Sequence, residues 1–309
     1  MKRLFWAGMG MLALSVGGRE ARAEPIFENI PVITAPGHQG GAAIWGNYIV
    51  WKGAVNEAYN IEQRKRVEMP GLNIDGDPAI WDNKVVWSGA NGYYDINLQQ
   101  MIYAEGLSVG DEPAIHDYKI VWGSSTGYYD LSLEQMIYPA SLSIDNEPDI
   151  FGDKIVWDQS KGYYDIGSEQ MVYPEGLSVG LGPAIYDNKI AWFYLVARTG
   201  YYDIDLQQYV SLEEATGVFC SPDIFEDRIV WNTYDVVPPR TIDIFIWDPI
   251  FKQVQVTESG CAHGAKIYDN IIVWVDTRSG DADIYMAIIP EPGTVLLLGL
   301  GVFILRRRK

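Results

Sequence analysis

The stretch Glu112–Asn146, EPAIHDYKIVWGSSTGYYDLSLEQMIYPASLSIDN, decides the fold of this 309-residue chain. It divides into four short apolar runs: Ala114–His116, Lys119–Trp122, Tyr128–Leu133 and Gln135–Tyr138. β-Branched and aromatic residues fill the runs, while Asp117-Tyr118 and Gly123–Gly127 supply the joints, which is strand-and-turn chemistry. The stretch is one copy of several. Its KIVW block, ending at Trp122, returns as KVVW at Trp87, KIVW at Trp157, KIAW at Trp192, RIVW at Trp231 and IIVW at Trp274. A weaker first copy, YIVW, ends at Trp51. The tryptophans are 36, 35, 35, 35, 39 and 43 residues apart, a period that means an array of identical supersecondary units.

Four antiparallel strands repeated at this interval predict an all-β fold, a seven-bladed β-propeller of four-stranded blades. A blade cannot bury both faces alone, and a ring buries each sheet between its neighbours. The repeated Trp at the end of strand b is read as part of that inter-blade core. The last unit offers strands at Ala265–Tyr268, Ile271–Trp274 and Asp283–Ile288, then runs into Pro290 with no fourth strand. Phe27–Ile33, before the first unit, has no blade of its own. The N-terminal strand is therefore expected to complete the last blade and hide its open edge.

Units of the form P-x-I-x-G-D-x-I-V-W followed by G-x-x-D-I, clearest at Pro148–Trp157 and Gly162–Ile166, resemble TolB-like β-propeller repeats. The resemblance covers nearly all of residues 24–289. It speaks for the fold and little for function, because one fold hosts many activities.

Both termini carry signals. Residues 1–23 read as a signal peptide, with basic Lys2 and Arg3, an apolar stretch Leu4–Val16 and a small-x-small site at Ala21-Arg22-Ala23. At the other end, Pro290-Glu291-Pro292 precedes an apolar run, Val295–Leu305, and the basic tail Arg306, Arg307, Arg308 and Lys309. Residues 290–309 resemble the PEP-CTERM sorting signal of Gram-negative bacteria. The resemblance implies processing by exosortase, transient inner-membrane anchoring through a short apolar transmembrane helix, and delivery to the cell surface. It also implies an association with exopolysaccharide and biofilm. The run is short for a stable span, since crossing a bilayer takes about 17–25 residues, and the basic tail is expected to stay cytoplasmic. An ordinary C-terminal membrane anchor is the alternative.

The formal charge of the chain is −18. Without residues 1–23 and 290–309, which hold eight basic and two acidic residues, 39 acidic against 15 basic residues remain, a net charge of −24. Such a body repels nucleic acid and anionic lipid and favours cations, basic proteins or neutral glycans. Its two cysteines, Cys220 and Cys261, fall in loops leading into strand a of adjacent units. An oxidising compartment permits a disulfide between them, and two half-buried free thiols are the alternative.

The loudest local motif is GYYD, with its acid at Asp95, Asp130, Asp165 and Asp203. Counting from each tryptophan assigns the matching position to Asp243 and Asp283 in the last two units and to Asn60 in the first. Placed at the start of strand c, this residue is expected to accept hydrogen bonds from its own turn. No calcium loop of the D-x-D-x-D type occurs, so Ca²⁺ is not indicated, and no metal or other cofactor is expected. The adjacent tyrosines, Tyr93 and Tyr94 and their counterparts, alternate sides of a strand, so one of each pair is expected to face the loops as a sugar platform. Asp77, Asp111, Glu112, Asp145 and Glu147 gather on that same loop face, where the d-to-a and b–c loops emerge.

Insertions after Trp192 and Trp231 break the repeat and bring Phe193, Tyr194, Arg198, Tyr234, Asp235 and Arg240 to this face. Function on a rigid scaffold concentrates in its irregular loops, which makes these the candidate binding residues. No catalytic residue is assigned. His116 stands where sibling units carry Trp81, Phe151 and Tyr186, which reads as packing, and no G-x-S-x-G, H-E-x-x-H or P-loop occurs. The expected function is a non-catalytic, surface-sorted binding or matrix component that meets exopolysaccharide or surface proteins. Alternatives are a polysaccharide lyase or hydrolase and a purely structural adhesion protein.

Overall fold

The computed structural model describes residues 27–34, 39–193, 199–212, 220–234 and 241–290. These form seven four-stranded sheets, each with its strands paired in sequence order a-b-c-d except the last. Blade one spans Gly40–Asn73, two Pro78–Tyr103, three Ala114–Ile137, four Asp149–Val172, five Leu181–Ser211 and six Cys220–Gln255. Blade seven takes strands a, b and c from Ala262–Tyr268, Ile271–Asp276 and Asp283–Ile288, and strand d from Ile30–Ile33. Ile30 lies opposite Met286 and Ile33 opposite Ile284, antiparallel, as the ring-closure expectation requires. Pro31 is tolerated because strand d is an edge, where a missing N–H costs no ladder bond.

The tryptophans sit in the inter-blade core. Trp51, Trp231 and Trp274 are fully buried, Trp87, Trp157 and Trp192 nearly so, and Trp122 half-buried. The GYYD tyrosines join them there, which corrects the sugar-platform expectation. Tyr94, Tyr129, Tyr164 and Tyr202 are fully buried, and their partners Tyr93, Tyr128, Tyr163 and Tyr201 are buried or half-buried. Alternation along the strand points each pair at two neighbouring blades rather than at one blade and solvent. The hydroxyls of Tyr94, Tyr129 and Tyr202 donate to the carbonyls of Pro70 in strand d of the preceding blade and of Glu105 and Glu175 in the turns just after it, at 3.2, 3.4 and 2.8 Å.

A second correction concerns the motif acid. Strand c of blade three ends at Asp130 rather than Leu133, and the acid closes the c–d turn instead of opening the strand. Asp130 Oδ1 accepts from the N–H groups of Ser132 and Leu133 at 2.8 and 3.0 Å. Asp95, Asp165 and Asp203 do the same for Leu98, Ser168 and Leu206, and Asn60 for Gln63. In each of blades two to five the acid faces the lysine that starts strand b, as Lys84 faces Asp95. Register continues the pattern in blade six through Asp248, since Ile229 lies opposite Trp247, and Asp248 caps Ile250. Asp243 lies five positions earlier, at the other end of the same hairpin, opposite Thr233. Asp283 is likewise opposite Asp276, and Ile288 fills the acid's place in blade seven. Lengthened b–c hairpins shift the count from tryptophan, so sequence spacing selects the wrong carboxylate in those two blades.

Candidate functional site

Strand a is the innermost strand of every blade, and the seven copies line a central cavity of about 520 Å³. That volume lies within the range of small-ligand sites, roughly 300–1,000 Å³. Three positions of strand a define its floor, wall and mouth.

The floor is a closed ring of aromatic side chains, one per blade: Trp45, Trp81, His116, Phe151, Tyr186, Phe225 and Tyr268. Neighbouring ring centroids are 4.3 to 6.1 Å apart all the way round. Such tilted contacts suit the quadrupoles of aromatic rings. His116 belongs to this packing. Its Nδ1 accepts from Gly152 N–H at 3.0 Å, which places the proton on Nε2, and burial lowers its pKa to about 4. It is therefore neutral at pH 7.

Two residues above the floor, the repeat is broken. The position holds Ala43, Ala79, Ala114 and Ala184 in four blades, but Asp149, Asp223 and Lys266 in blades four, six and seven. The carboxylates bridge blades. Asp149 Oδ2 accepts from Ile185 N–H at 2.7 Å, and Asp223 Oδ2 accepts from Ile267 N–H at 2.7 Å. Lys266 Nζ lies 3.4 Å from Asp223 Oδ1. Burial pushes the Asp149 carboxyl up to about 7, against the pull of the Ile185 amide and Lys266. Burial also raises Asp223, while Lys266 is raised by Asp223 first and Asp149 after it.

At the mouth, the residue two positions before this wall takes a left-handed backbone in six blades. Three of these are glycines, Gly41, Gly182 and Gly264, and the other three are Glu112, Glu147 and Ser221, with φ of 52°, 44° and 43°. A side chain there costs about 1 kcal/mol or more that glycine avoids. Glu112 Oε2 accepts from Glu147 N–H at 2.8 Å, and Asp158 Oδ1 from Gly182 N–H at 2.6 Å. Burial raises the Glu147 carboxyl, and Asp158 and Glu112 add to it. Among the described residues, no three or more His, Cys, Asp or Glu side chains are grouped to hold a metal ion.

The structure brings Asp77, Glu112 and Glu147 to the cavity as the loop-face reading expects. Phe193 ends strand b of blade five, half-buried and outside the cavity lining. Tyr234 ends strand b of blade six. Tyr194, Arg198, Asp235, Arg240 and the sorting residues 291–309 lie outside the described residues. No helix among those described is long and apolar enough to cross a membrane. Cys220 and Cys261 are half-buried free thiols, and burial raises the pKa of Cys220. The missed residues, Asp149, Asp223 and Lys266, carried a readable signal, because they replace alanine at one position of an otherwise uniform strand.

A pH effect follows from Asp149. Its folded pKa of about 7 lies above the ordinary value of about 3.9, so the native state holds the proton more tightly than the unfolded chain does. Stability is then lost as pH rises from about 4 to about 7, on the order of 2–4 kcal/mol from this group. Asp149→Asn keeps an acceptor and cannot ionise. The variant should melt at more nearly the same temperature at pH 5 and pH 8 than the parent does, and what slope remains has the sign set by the raised carboxyls of Asp223 and Glu147. An unchanged pH slope would assign the effect to other groups.

Residues 289–309 match the PEP-CTERM protein-sorting motif. This is the exosortase substrate signal of Gram-negative bacteria, so the chain is an exported β-propeller sorted to the cell envelope or surface. No curated protein matches the sequence. Among solved structures it is similar to an oligogalacturonate lyase in complex with manganese, at 10 % identity and a TM-score of 0.57, over 87 % of this chain and 97 % of the lyase. The β-propeller domain of the Trilobed protease from Pyrococcus furiosus, described as an open velcro topology, has 13 % identity and a TM-score of 0.53, over 81 % and 95 %. The Pyrococcus horikoshii acylaminoacyl peptidase has 11 % identity and a TM-score of 0.52, over 85 % of this chain and 54 % of the peptidase. At these identities the likeness is one of fold.

Proposed function

We propose that this surface-sorted propeller is a non-catalytic binding component that takes a strand of exopolysaccharide, neutral or amine-bearing, at the mouth of its central cavity. The observation that supports the reading most is the strained backbone at Glu112, Glu147 and Ser221. Three blades hold a side chain in the left-handed conformation that three of their siblings give to glycine, and strain of this kind is retained where the side chain has a role. Glycan hydroxyls or ammonium groups suit a mouth of carboxylates on a body this acidic. The wall and mouth acids Glu112, Asp149, Asp158 and Asp223 are each already engaged by a backbone N–H, which favours holding over proton transfer.

The test uses Glu147→Gly. The substitution relieves the left-handed strain, so it should stabilise the fold by about 1 kcal/mol. The same change should weaken co-sedimentation with the host's exopolysaccharide. A variant that binds as well as the parent would remove the mouth from consideration. Polymer length is followed in the same tubes. Shortening by the parent would instead make Asp149, whose carboxyl burial pushes up to about 7, the first candidate for an acid in a lyase or hydrolase.

A further inference from the structure

The sorting motif begins inside the fold. Ile289 N–H donates to Asn270 O at 2.7 Å, Ile289 is 2 % exposed, and Pro290 is buried. The same bond recurs in blades two to five, from Ile96 to Asn83, Leu131 to Tyr118, Ile166 to Asp153 and Ile204 to Asn188. In those blades the chain then turns back into strand d; in blade seven it leaves. The exit point is thus a c–d turn position, at the floor end of the propeller and opposite the cavity mouth. Five Cα-to-Cα steps separate Pro290 from Val295, where the apolar run begins. They reach at most about 18 Å when fully extended. Wherever that run is lodged, the floor face stands close beside it.

Four of the six sibling c–d turns carry an apolar tip, while Gln63 and Ser168 stand at that position in blades one and four. Leu98, Leu133, Leu206 and Ile250 are 61, 59, 62 and 51 % exposed at their tips. Asp95, Asp130, Asp203 and Asp248 hold those turns through backbone N–H groups, so the aliphatic tips are rigid. Scattered exposed leucines need no explanation, but these recur at one structural position around the rim from which the chain departs. Cations at the starts of strand b match acids of the same face: Lys119 with Asp117 and Asp153, Lys189 with Asp227, and Arg228 with Asp248. The face is therefore not a bare anionic sheet.

We infer that the floor face lies flat on the lipid bilayer while the C-terminal segment is in place, with the aliphatic c–d tips at headgroup level and the cavity mouth turned away. The inference rests on Val295–Leu305 entering the membrane, as the sorting reading has it. In this orientation the mouth is open to ligand before processing.

The test uses the full chain in phosphatidylcholine vesicles that contain a lipid quencher at headgroup depth. In a C220S/C261S background, an environment-sensitive fluorophore is attached at L98C or L206C on the floor, or at D111C beside the mouth. All three parent residues are exposed, so the fold tolerates the label. The expected result is loss of fluorescence at L98C and L206C and retention at D111C. Partitioning with equal quenching at all three sites, or with quenching at D111C alone, overturns the orientation and leaves the anchor standing. A full chain that partitions no better than one ending at Pro290 removes the anchor, and the orientation falls with it.

Discussion

Removal of residues 27–34 is expected to abolish cooperative folding of the whole ring. The segment supplies strand d of blade seven, with Val32 and Ile33 each 6 % exposed and Phe27 packed where blades six and seven meet. Burial of the two aliphatic side chains is worth about 3–6 kcal/mol, against a total stability of about 5–15 kcal/mol for a folded domain. Asn29 adds bonds to Val256 O at 3.3 Å and to Arg278 Nη2 at 3.0 Å. Loss of the strand also opens the edge of Asp283–Ile288 to pairing with other chains. The truncated protein should melt without a sharp transition and aggregate, and a peptide of residues 27–34 added in excess should restore part of the transition. A truncated protein that melts within a few degrees of the parent would show that blade seven is held by its neighbours alone.

The second large effect is expected at Trp274. It is fully buried between blades six and seven. Trp274→Ala removes the largest side chain of a close-packed contact and should cost about 3–5 kcal/mol. In a chain of this size that corresponds to a fall in melting temperature of about 10 °C or more. Trp122→Ala is the comparison. Trp122 occupies the same repeat position but is half-buried and lies against Gly110, where a Cβ would come within 2.4 Å of its Cδ1. Its loss should cost roughly half as much, because solvent already reaches the ring and a loop can settle into the gap. Equal losses at the two positions would mean that the tryptophans act through the repeat as a whole rather than through local burial.

The strands and their closure were legible because they depend on local chemistry. Turn formers at fixed offsets, β-branched runs and an unmatched N-terminal strand are all properties of neighbouring residues, and a ring is the arrangement that buries both faces of every blade. The role of the GYYD acid was legible for the same reason. An Asp near a turn accepts from that turn's N–H groups wherever it sits, although sequence alone misplaced which turn it closes.

The candidate site was readable only in part. Asp149 and Asp223 stood out from alanine at one strand position, yet so did many loop residues, and irregular loops drew the attention first. What the sequence determined by itself was the repeat, the number of blades, the strand that closes them and the sorting signal at the end. Tertiary structure alone decided that strand a is innermost and that its second layer forms a wall of Asp149, Asp223 and Lys266. These residues are 74 and 43 positions apart along the chain. Their charges act on one another only because the ring turns strand a of blades four, six and seven toward one central cavity, and no local pattern encodes that meeting.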